Sequence, residues 1–587
     1  MKGRNIVVIA GTISSAHRIA AHAYCLPMHN EPILLSAATD PANQTPLRSL
    51  INDGDATSVL SEALQQGIDN AQQAAAQQKG AFAVGLHDEA GGRSFGAVDR
   101  FAVSTLCWRA EGHNLRFAAT ATELAGTRPE LDPQAIYDYL FFHCIPAPRT
   151  IFKGVNRVPA AHSVAMEHGA VSLQPYWRPE FTVDRQIRSF EDLRSEFLEH
   201  LKASVGRALD GSVPACFLSG GTDSSSVAGM IREVTGHGAK GYSIGFDASG
   251  YDEMAYARLA AKRFGCEHHE YYITPDDLVR SIPAVAAAFD QPFGNSSVLP
   301  SYYCSLKARE DGVTRLLAGD GGDELFGGNV RYAKQRVFGL YAALPSALRR
   351  GLLEPIFGLG AVAKMPLLKK GSSYIEQARV PMPDRLQMYN LLLRLGVADV
   401  LTPDFVARID SEGPAKHQRE VWAWPRDASD LNRTLAYDWR YTLAESDLPK
   451  VRGAAGFTGL TVGYPMLDQA LLEFSMRLPD EYKLRGLKLR WFFKEALRGF
   501  LPDEIITKPK HGFGLPFGPW AIGHSALHRL AADSLGSLGT RGIVRPSFLK
   551  QLLEQRLPEH PGYYGEMVWI LMMLEQWLQH HQPDARF

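Results

Sequence analysis

The chain is short of cysteine, of net charge and of long apolar runs. Its six cysteines (Cys25, Cys107, Cys144, Cys216, Cys266 and Cys304) are scattered through 587 residues and form no CxxC pair. That pattern argues against a disulfide framework and a zinc site, and fits a reducing cytoplasm. Formal net charge is −1, so there is no global pull toward nucleic acid or an anionic membrane. No run approaches the length of a membrane span. Residues 1–10 are basic then apolar, but Thr12, Ser14, Ser15 and His17 interrupt them too early for a signal peptide. They read as a first strand.

What the chain does have is glycine beside acid, twice. Cys216-Phe-Leu-Ser-Gly-Gly-Thr-Asp-Ser-Ser-Ser-Val227 is a short apolar run, a double-glycine turn and then a helical run over 224–234. Adjacent glycines allow a sharp turn and close approach of a ligand, and a helix N-terminus beyond them directs N–H groups at an anion. Asp223 suits such a cradle once Mg²⁺ is added, because Mg²⁺ is held by one or two carboxylates plus phosphate oxygens. The second stretch, Leu316-Leu-Ala-Gly-Asp-Gly-Gly-Asp-Glu-Leu-Phe-Gly-Gly328, repeats the pattern with more acids. Together the two supply Asp223 and Asp323 as a metal-bridging pair.

Ser219-Gly-Gly-Thr-Asp-Ser224 resembles the pyrophosphate loop of the N-type ATP pyrophosphatases. With Gly319-Asp-Gly-Gly-Asp-Glu324 it resembles the synthetase domain of the asparagine synthetase family, which includes β-lactam and carbapenam synthetases and lasso-peptide cyclases. The resemblance implies ATP and Mg²⁺ as cofactors and activation of a carboxylate as an acyl adenylate. It implies that Leu218, Ser219, Gly220, Gly221, Asp223 and Ser224 bind ATP, that Ser243, Ile244 and Gly319 line the adenine and ribose, and that Asp223 and Asp323 hold the metal. Lys508-Pro-Lys-His-Gly-Phe-Gly-Leu-Pro-Phe-Gly-Pro-Trp520 resembles the family's Lys-x-Gly-Phe loop and implies a catalytic role for Lys510. A cation beside developing negative charge is a large electrostatic term. Asp320 stands where β-lactam synthetases have the Tyr of a Tyr–Glu pair, and Glu445 matches the Glu, so both are candidate catalytic residues.

The expected fold is α/β in two domains. Residues 1–190 mix short strands (81–88, 94–97, 100–106, 115–119, 163–166) with a helix over 132–142 capped by Asp132. This resembles the family's glutaminase-like sandwich domain. A working glutaminase of this type uses a cysteine at position 2. Here Lys2 stands there and Cys25 is the nearest cysteine, so a degenerate domain without glutamine hydrolysis is expected. Residues 191–587 carry alternating elements: a helix over 190–209, strands at 240–246, 267–273 and 314–318, and helices at 252–264 and 274–289. Alternation argues a parallel sheet with ligand loops at the strand C-termini. His268 and His269, adjacent on a strand, face opposite sides and cannot share one ion. Helical runs at 345–353 and 385–395 name no function, and the apolar stripe at 565–577 reads as core.

True asparagine synthetases carry Asp-Arg-x-Ser-Met and Glu-x-Arg runs before Pro-Phe-Leu-Asp. Here Arg452-Gly-Ala-Ala-Gly456 and Thr461-Val-Gly463 stand in those places, and Pro465-Met-Leu-Asp468 survives. The expectation is a wider, less charged pocket for a larger substrate. The preferred reading is a lasso-peptide cyclase that joins an Asp or Glu side chain of a precursor peptide to its N-terminal amine. The resemblance implies as partners that peptide, a leader peptidase and a leader-binding protein, with no nucleic acid. The rivals are an asparagine or β-lactam-type synthetase and a non-catalytic ATP-binding scaffold.

Overall fold

The structure is a computed structural model that describes residues 6–8, 54–182, 189–248, 250–342, 344–349, 351, 355, 366–509 and 514–587. Lys2, Cys25 and Lys510 lie outside the described residues. Two units emerge, one from residues 1–127 with 154–176, the other from 128–153 with 177–587. The segment 128–153, which the sequence reading gave to the first domain, packs with the second unit.

In the first unit an antiparallel sheet has the order β1–β2–β3–β7–β8, from β1 (Ile6–Val8), β2 (Ala83–Asp88), β3 (Arg93–Val98), β7 (His162–Glu167) and β8 (Ala170–Pro175). A smaller sheet pairs β4 (Cys107–Glu111) with β5 (Asn114–Ala118) and β6 (Asn156–Arg157). The period-2 rule explains both faces. Val84, Leu86, Phe95 and Ala97 form a core with Leu60, Leu64, Ala71 and Ala75 of helices α1 (Gly54–Gln66) and α2 (Ile68–Gln77). The opposite face carries Gly85 and Gly96, where a Cβ would stand 2.6 Å from the Phe117 ring. Residues 100–106 are not a strand. The buried Asp99 carboxylate accepts N–H bonds from Phe82, Phe101, Val103 and Ser104 at 3.0–3.3 Å, which folds that stretch around it and delays the strand to Cys107.

The second unit is built on a parallel sheet of order β11–β10–β9–β12–β13, with β9 (Ala215–Phe217), β10 (Lys240–Phe246), β11 (Glu267–Ile273), β12 (Arg315–Leu317) and β13 (Thr461–Gly463). Helices α3 (Pro133–Phe142) and α4 (Phe190–Leu209) precede it. Helices α5 (Thr222–Thr235), α6 (Met254–Phe264), α7 (Pro275–Ala288) and α8 (Val298–Glu310) connect its strands. Thr274 and Asp277 close a reciprocal capping box on α7. From β9 the chain winds outward through β10 to β11, then returns to lay β12 on the other side of β9. The order therefore reverses between β9 and β12, and a crevice at such a switch point is where open α/β sheets bind ligands. Both glycine–acid loops leave strands at that point.

Short helix α9 (Gly322–Phe326) follows β12. Farther on, an α-helix, Asp430–Asp438, continues as a wide π-helical stretch, Trp439–Asp447, into α10 (Leu448–Phe457). The run expected at 385–395 is broken into Asp384–Gln387 and Leu391–Leu395, the second capped by the Asn390 side chain, which accepts the Leu393 N–H. The C-terminal helix, α11 (Pro561–His581), buries Met567 to Leu578 as core. Among the described residues no helix is long and apolar enough to cross a membrane.

Candidate active site

The first loop turns through Gly220, whose φ is +71° and where a Cβ would lie 2.5 Å from the Tyr256 carbonyl carbon. Only glycine combines that conformation with that approach. Gly221 is the N-cap of α5 and brings no side chain to the helix end. The first-turn N–H groups of a 14-residue helix thus meet the loop without a capping side chain. Hydroxyls line the same turn: Ser219 Oγ and Ser224 Oγ are 2.9 Å apart, and the Ser219 amide donates to Ser224 Oγ at 3.2 Å.

Strand β10 braces the loop from behind. Ser243 Oγ donates to the Leu218 carbonyl and lies 2.7 Å from His268 Nε2, while His268 Nδ1 faces Glu270 at 3.3 Å. This looks like a serine–histidine–acid arrangement. However, the serine proton is committed to Leu218, so His268 is the donor to the serine and not its base. Burial lowers the His268 pKa. Its neighbour His269 faces Glu267 and Asp311 instead, so the two histidines do diverge. Ile244, next to Ser243, is buried.

The second loop presses against the first. A Cβ on Gly319 would stand 2.8 Å from the Ser224 amide nitrogen. Asp223 and Asp323 are brought together, and the group between them is Arg490. Its Nη1 lies 2.9 Å from Asp223 Oδ2, 2.6 Å from Asp323 Oδ1 and 3.0 Å from Thr222 Oγ1, and its Nη2 pairs with Asp223 Oδ1. Burial works against its charge, but Asp223 and Asp323 outweigh it and raise its pKa. Glu324 is pushed well above the usual carboxyl range by burial and then by Asp323.

Asp320 occupies a different corner. Burial pushes its carboxyl up to about 6; Lys450 pulls it down, while Asp447 and Asp223 push it up. Lys450 Nζ is 2.9 Å from Asp447 and 3.9 Å from Asp320. Burial opposes the charge of Lys450, yet Asp447 and Asp320 prevail and hold it up at about 12. Tyr464, just after β13, is raised by burial and then by Asp320. Glu445 accepts the Ala147 N–H at 3.2 Å. In the 508–520 stretch, the described Lys508 pairs with Glu253 at 2.8 Å.

The structure brings the predicted Asp223 and Asp323 together and sets Asp320 near Lys450 and Tyr464; the sequence reading did not single out Arg490, Lys450 or Tyr464. Only a basic residue beside the acids would have signalled Lys450. Arg490 is 267 residues from Asp223, and nothing local marks it. The Gly453–Ala455 run does not open the expected wide pocket. Ala454 and Ala455 are buried, and a Cβ on Gly453 would sit 2.6 Å from the Phe289 ring. Small residues stand there because α8 and Phe289 pack closely on α10. Likewise Thr461-Val-Gly463 is edge strand β13, hydrogen-bonded through the Thr461 amide to Thr314.

The residues present fit a nucleotide triphosphate: an uncapped helix start, a glycine turn no side chain could follow, and hydroxyl donors. Two carboxylates suit Mg²⁺, which completes its shell with phosphate oxygens and water. Among the described residues no group of three or more His, Cys, Asp or Glu gathers to hold a metal, so an ion here would rely on its nucleotide.

Sequence profiles match the chain in two places: asparagine synthase over residues 196–579 and a glutamine amidotransferase domain over 47–177. Asparagine synthetase (glutamine-hydrolyzing) 1 of Bacillus subtilis (strain 168) is 24% identical over 511 residues, covering 86% of this chain and 78% of its own. Asparagine synthetase (glutamine-hydrolyzing) 3 of the same organism is 24% identical over 457 residues, covering 73% and 66%. Amidase chyE of Penicillium rubens is 27% identical over 520 residues, covering 81% and 76%.

Proposed function

The chain belongs to the asparagine synthase family of ATP-dependent C–N ligases, and from that premise we propose that it is a lasso-type peptide cyclase. Its substrate is a leader-trimmed peptide whose internal Asp or Glu side chain is joined to its own N-terminal amine. A carboxylate is inert to amines, so it first displaces pyrophosphate from ATP to give an acyl adenylate, and the amine then displaces AMP. Asp223 and Asp323 are the residues that would hold Mg²⁺, which when bound would supply charge neutralisation for the departing pyrophosphate.

The rest of the work falls to the chain itself. The first-turn amides of α5 and the Ser219 and Ser224 hydroxyls orient the phosphates. Ser243, Ile244, Leu218 and Gly319 form the wall for adenine and ribose. Lys510 brings a cation to the acyl phosphate.

The observation that carries the reading is Asp320, a carboxyl at about 6 beside Lys450. An α-amine has a pKa of about 7.7–8.0, against about 10.4 for a lysine. A carboxylate poised near 6 is ionised at neutral pH and accepts the proton of an α-amine with little mismatch. Tyr464, whose phenol Asp320 pushes up, serves this base as a positioning group, and Glu445 is its proposed acidic partner. A peptidase and a leader-binding protein complete the proposal by exposing that amine.

A second reading is favoured by one observation. The Gly453–Ala455 run is filled by its neighbours, which leaves room for a small acid as substrate, as in the relatives named asparagine synthetases.

The test is pyrophosphate release with ATP and Mg²⁺. A leader-free peptide bearing an internal Asp or Glu is set against free aspartate plus ammonia. Release with the peptide alone, accompanied by loss of one water from its mass, is expected. Release with aspartate and ammonia alone would sink the cyclase reading, and ATP binding with no release would point to a scaffold.

A further inference from the structure

Arg490 is built into its position from several sides. Its backbone is left-handed, with φ +54°, a conformation that a side-chain-bearing residue rarely adopts. Its amide donates to the Gly327 carbonyl at 3.2 Å, tying it to the end of the second loop. The residue is only 5% exposed, and its guanidinium carbon lies 4.1 Å from the centre of the Phe493 ring. Glycines make the space: a Cβ on Gly328 would stand 2.5 Å from Arg490 Cδ, and one on Gly322 would strike the Asp223 carboxylate. The fork joins both carboxylates, yet its buried Nε makes no hydrogen bond. An unpaired buried donor of this kind is costly unless a further acceptor arrives.

A divalent ion that takes Asp223 and Asp323 needs the oxygens Arg490 now holds. A bare ion must displace a buried, oriented guanidinium and leave it without counter-charge, which is strongly unfavourable. A triphosphate changes that balance. It brings anionic oxygens that Arg490 can bind in a bidentate manner, its spare Nε included, while the carboxylates turn to the metal.

Resting on the reading of the two loops as the nucleotide–metal site, we infer that Arg490 is the resident counter-ion of Asp223 and Asp323 and makes divalent-cation binding there conditional on a triphosphate. In coupling terms, nucleotide and metal each raise the other's affinity, and Arg490 is the element both act on.

The experiment uses the full chain and Mn²⁺ as probe, followed by electron paramagnetic resonance with and without α,β-methylene-ATP. Wild type should bind Mn²⁺ alone weakly, and about tenfold or more tightly with the analogue, within the usual range of coupled sites. Arg490→Gln should bind Mn²⁺ alone about tenfold more tightly than wild type and gain less from the analogue. A folded Arg490→Gln protein with Mn²⁺ affinity equal to or below that of wild type overturns the inference, provided wild type binds Mn²⁺ with the analogue. Should wild type fail even that, the site reading itself falls. If the Gln variant does not fold, Arg490→Met carries the test, because it removes the charge and keeps an apolar stem beside Phe493. Tighter binding of Mn²⁺ alone than in wild type supports the inference, and unchanged or weaker binding ends it.

Discussion

The two glycine loops leave neighbouring parallel strands at the same end of one sheet, yet they are made of different chemistry. The loop after β9 presents backbone amides and hydroxyls and feeds a 14-residue helix. The loop after β12 presents carboxylates and feeds a helix of five residues that stops at Gly327. The first is suited to an anion and the second to a cation, and Asp223 is the acid the first loop lends to the second. The lesson is that neither loop is a site alone. Gly319 against Ser224, and Arg490 across both acids, make them one.

The sharpest way to break the pairing is to discharge the acids singly. Asp223→Asn and Asp323→Asn should each lower ATP-dependent amide formation by about a hundredfold or more, exceeding the loss typical for an outer-sphere partner. Pyrophosphate release measures it. If only one substitution mattered, the acids would not act as a pair.

Backbone substitutions separate the loops by stability. Gly220→Ala forces a Cβ at φ +71° onto the α6 backbone, whereas Gly236→Ala, at φ +80° on the far end of α5, meets open space. The second should cost only the left-handed strain, about 1–2 kcal/mol. The first should cost more and also abolish nucleotide binding. Urea unfolding and nucleotide titration of both variants check this.

The pH profile probes the second loop. With its carboxyl pushed up to about 6, Asp320 as the proposed base would make activity rise with pH through that value. Lys450 lowers the Asp320 pKa, so Lys450→Met should move the acidic limb to higher pH. An unmoved limb would remove Asp320 from the role of base.

The smallest effect on activity is expected at Lys483, whose carbonyl backs Gly327 at the end of the second loop. Burial lowers its amine to about 7, against about 10.4 when unfolded. Between those values the unfolded chain holds a proton that the folded chain does not, so stability should climb as pH rises from about 7. Lys483→Met should flatten that climb in urea unfolding curves and leave the first loop's nucleotide cradle intact.

The sequence made the loops legible because glycine pairs between an apolar run and a helix have few other uses. Strands 240–246 and 267–273 and helix 190–209 were legible because alternation and periodicity are local. What was hidden depends on distant partners. Asp99 gathers four amides and turns a strand-like run into a coil. Phe289 explains Gly453, which by itself looks like a lost charge. The π-helical stretch that carries Glu445 and Asp447 has no local signature, since its sequence reads as an ordinary helix.

Arg490 has one more consequence, in the order of assembly. It lies 267 residues beyond Asp223 and 167 beyond Asp323, and β13, which completes the sheet edge, comes at Thr461–Gly463. At synthesis speeds of about 5–20 residues per second, both acidic loops leave the ribosome many seconds before the cation that reconciles them. Until then Asp223 and Asp323 repel one another with nothing between them. The nascent chain therefore passes through an interval in which these two carboxylates lack the guanidinium that joins them, and the two loops become one arrangement only when it arrives.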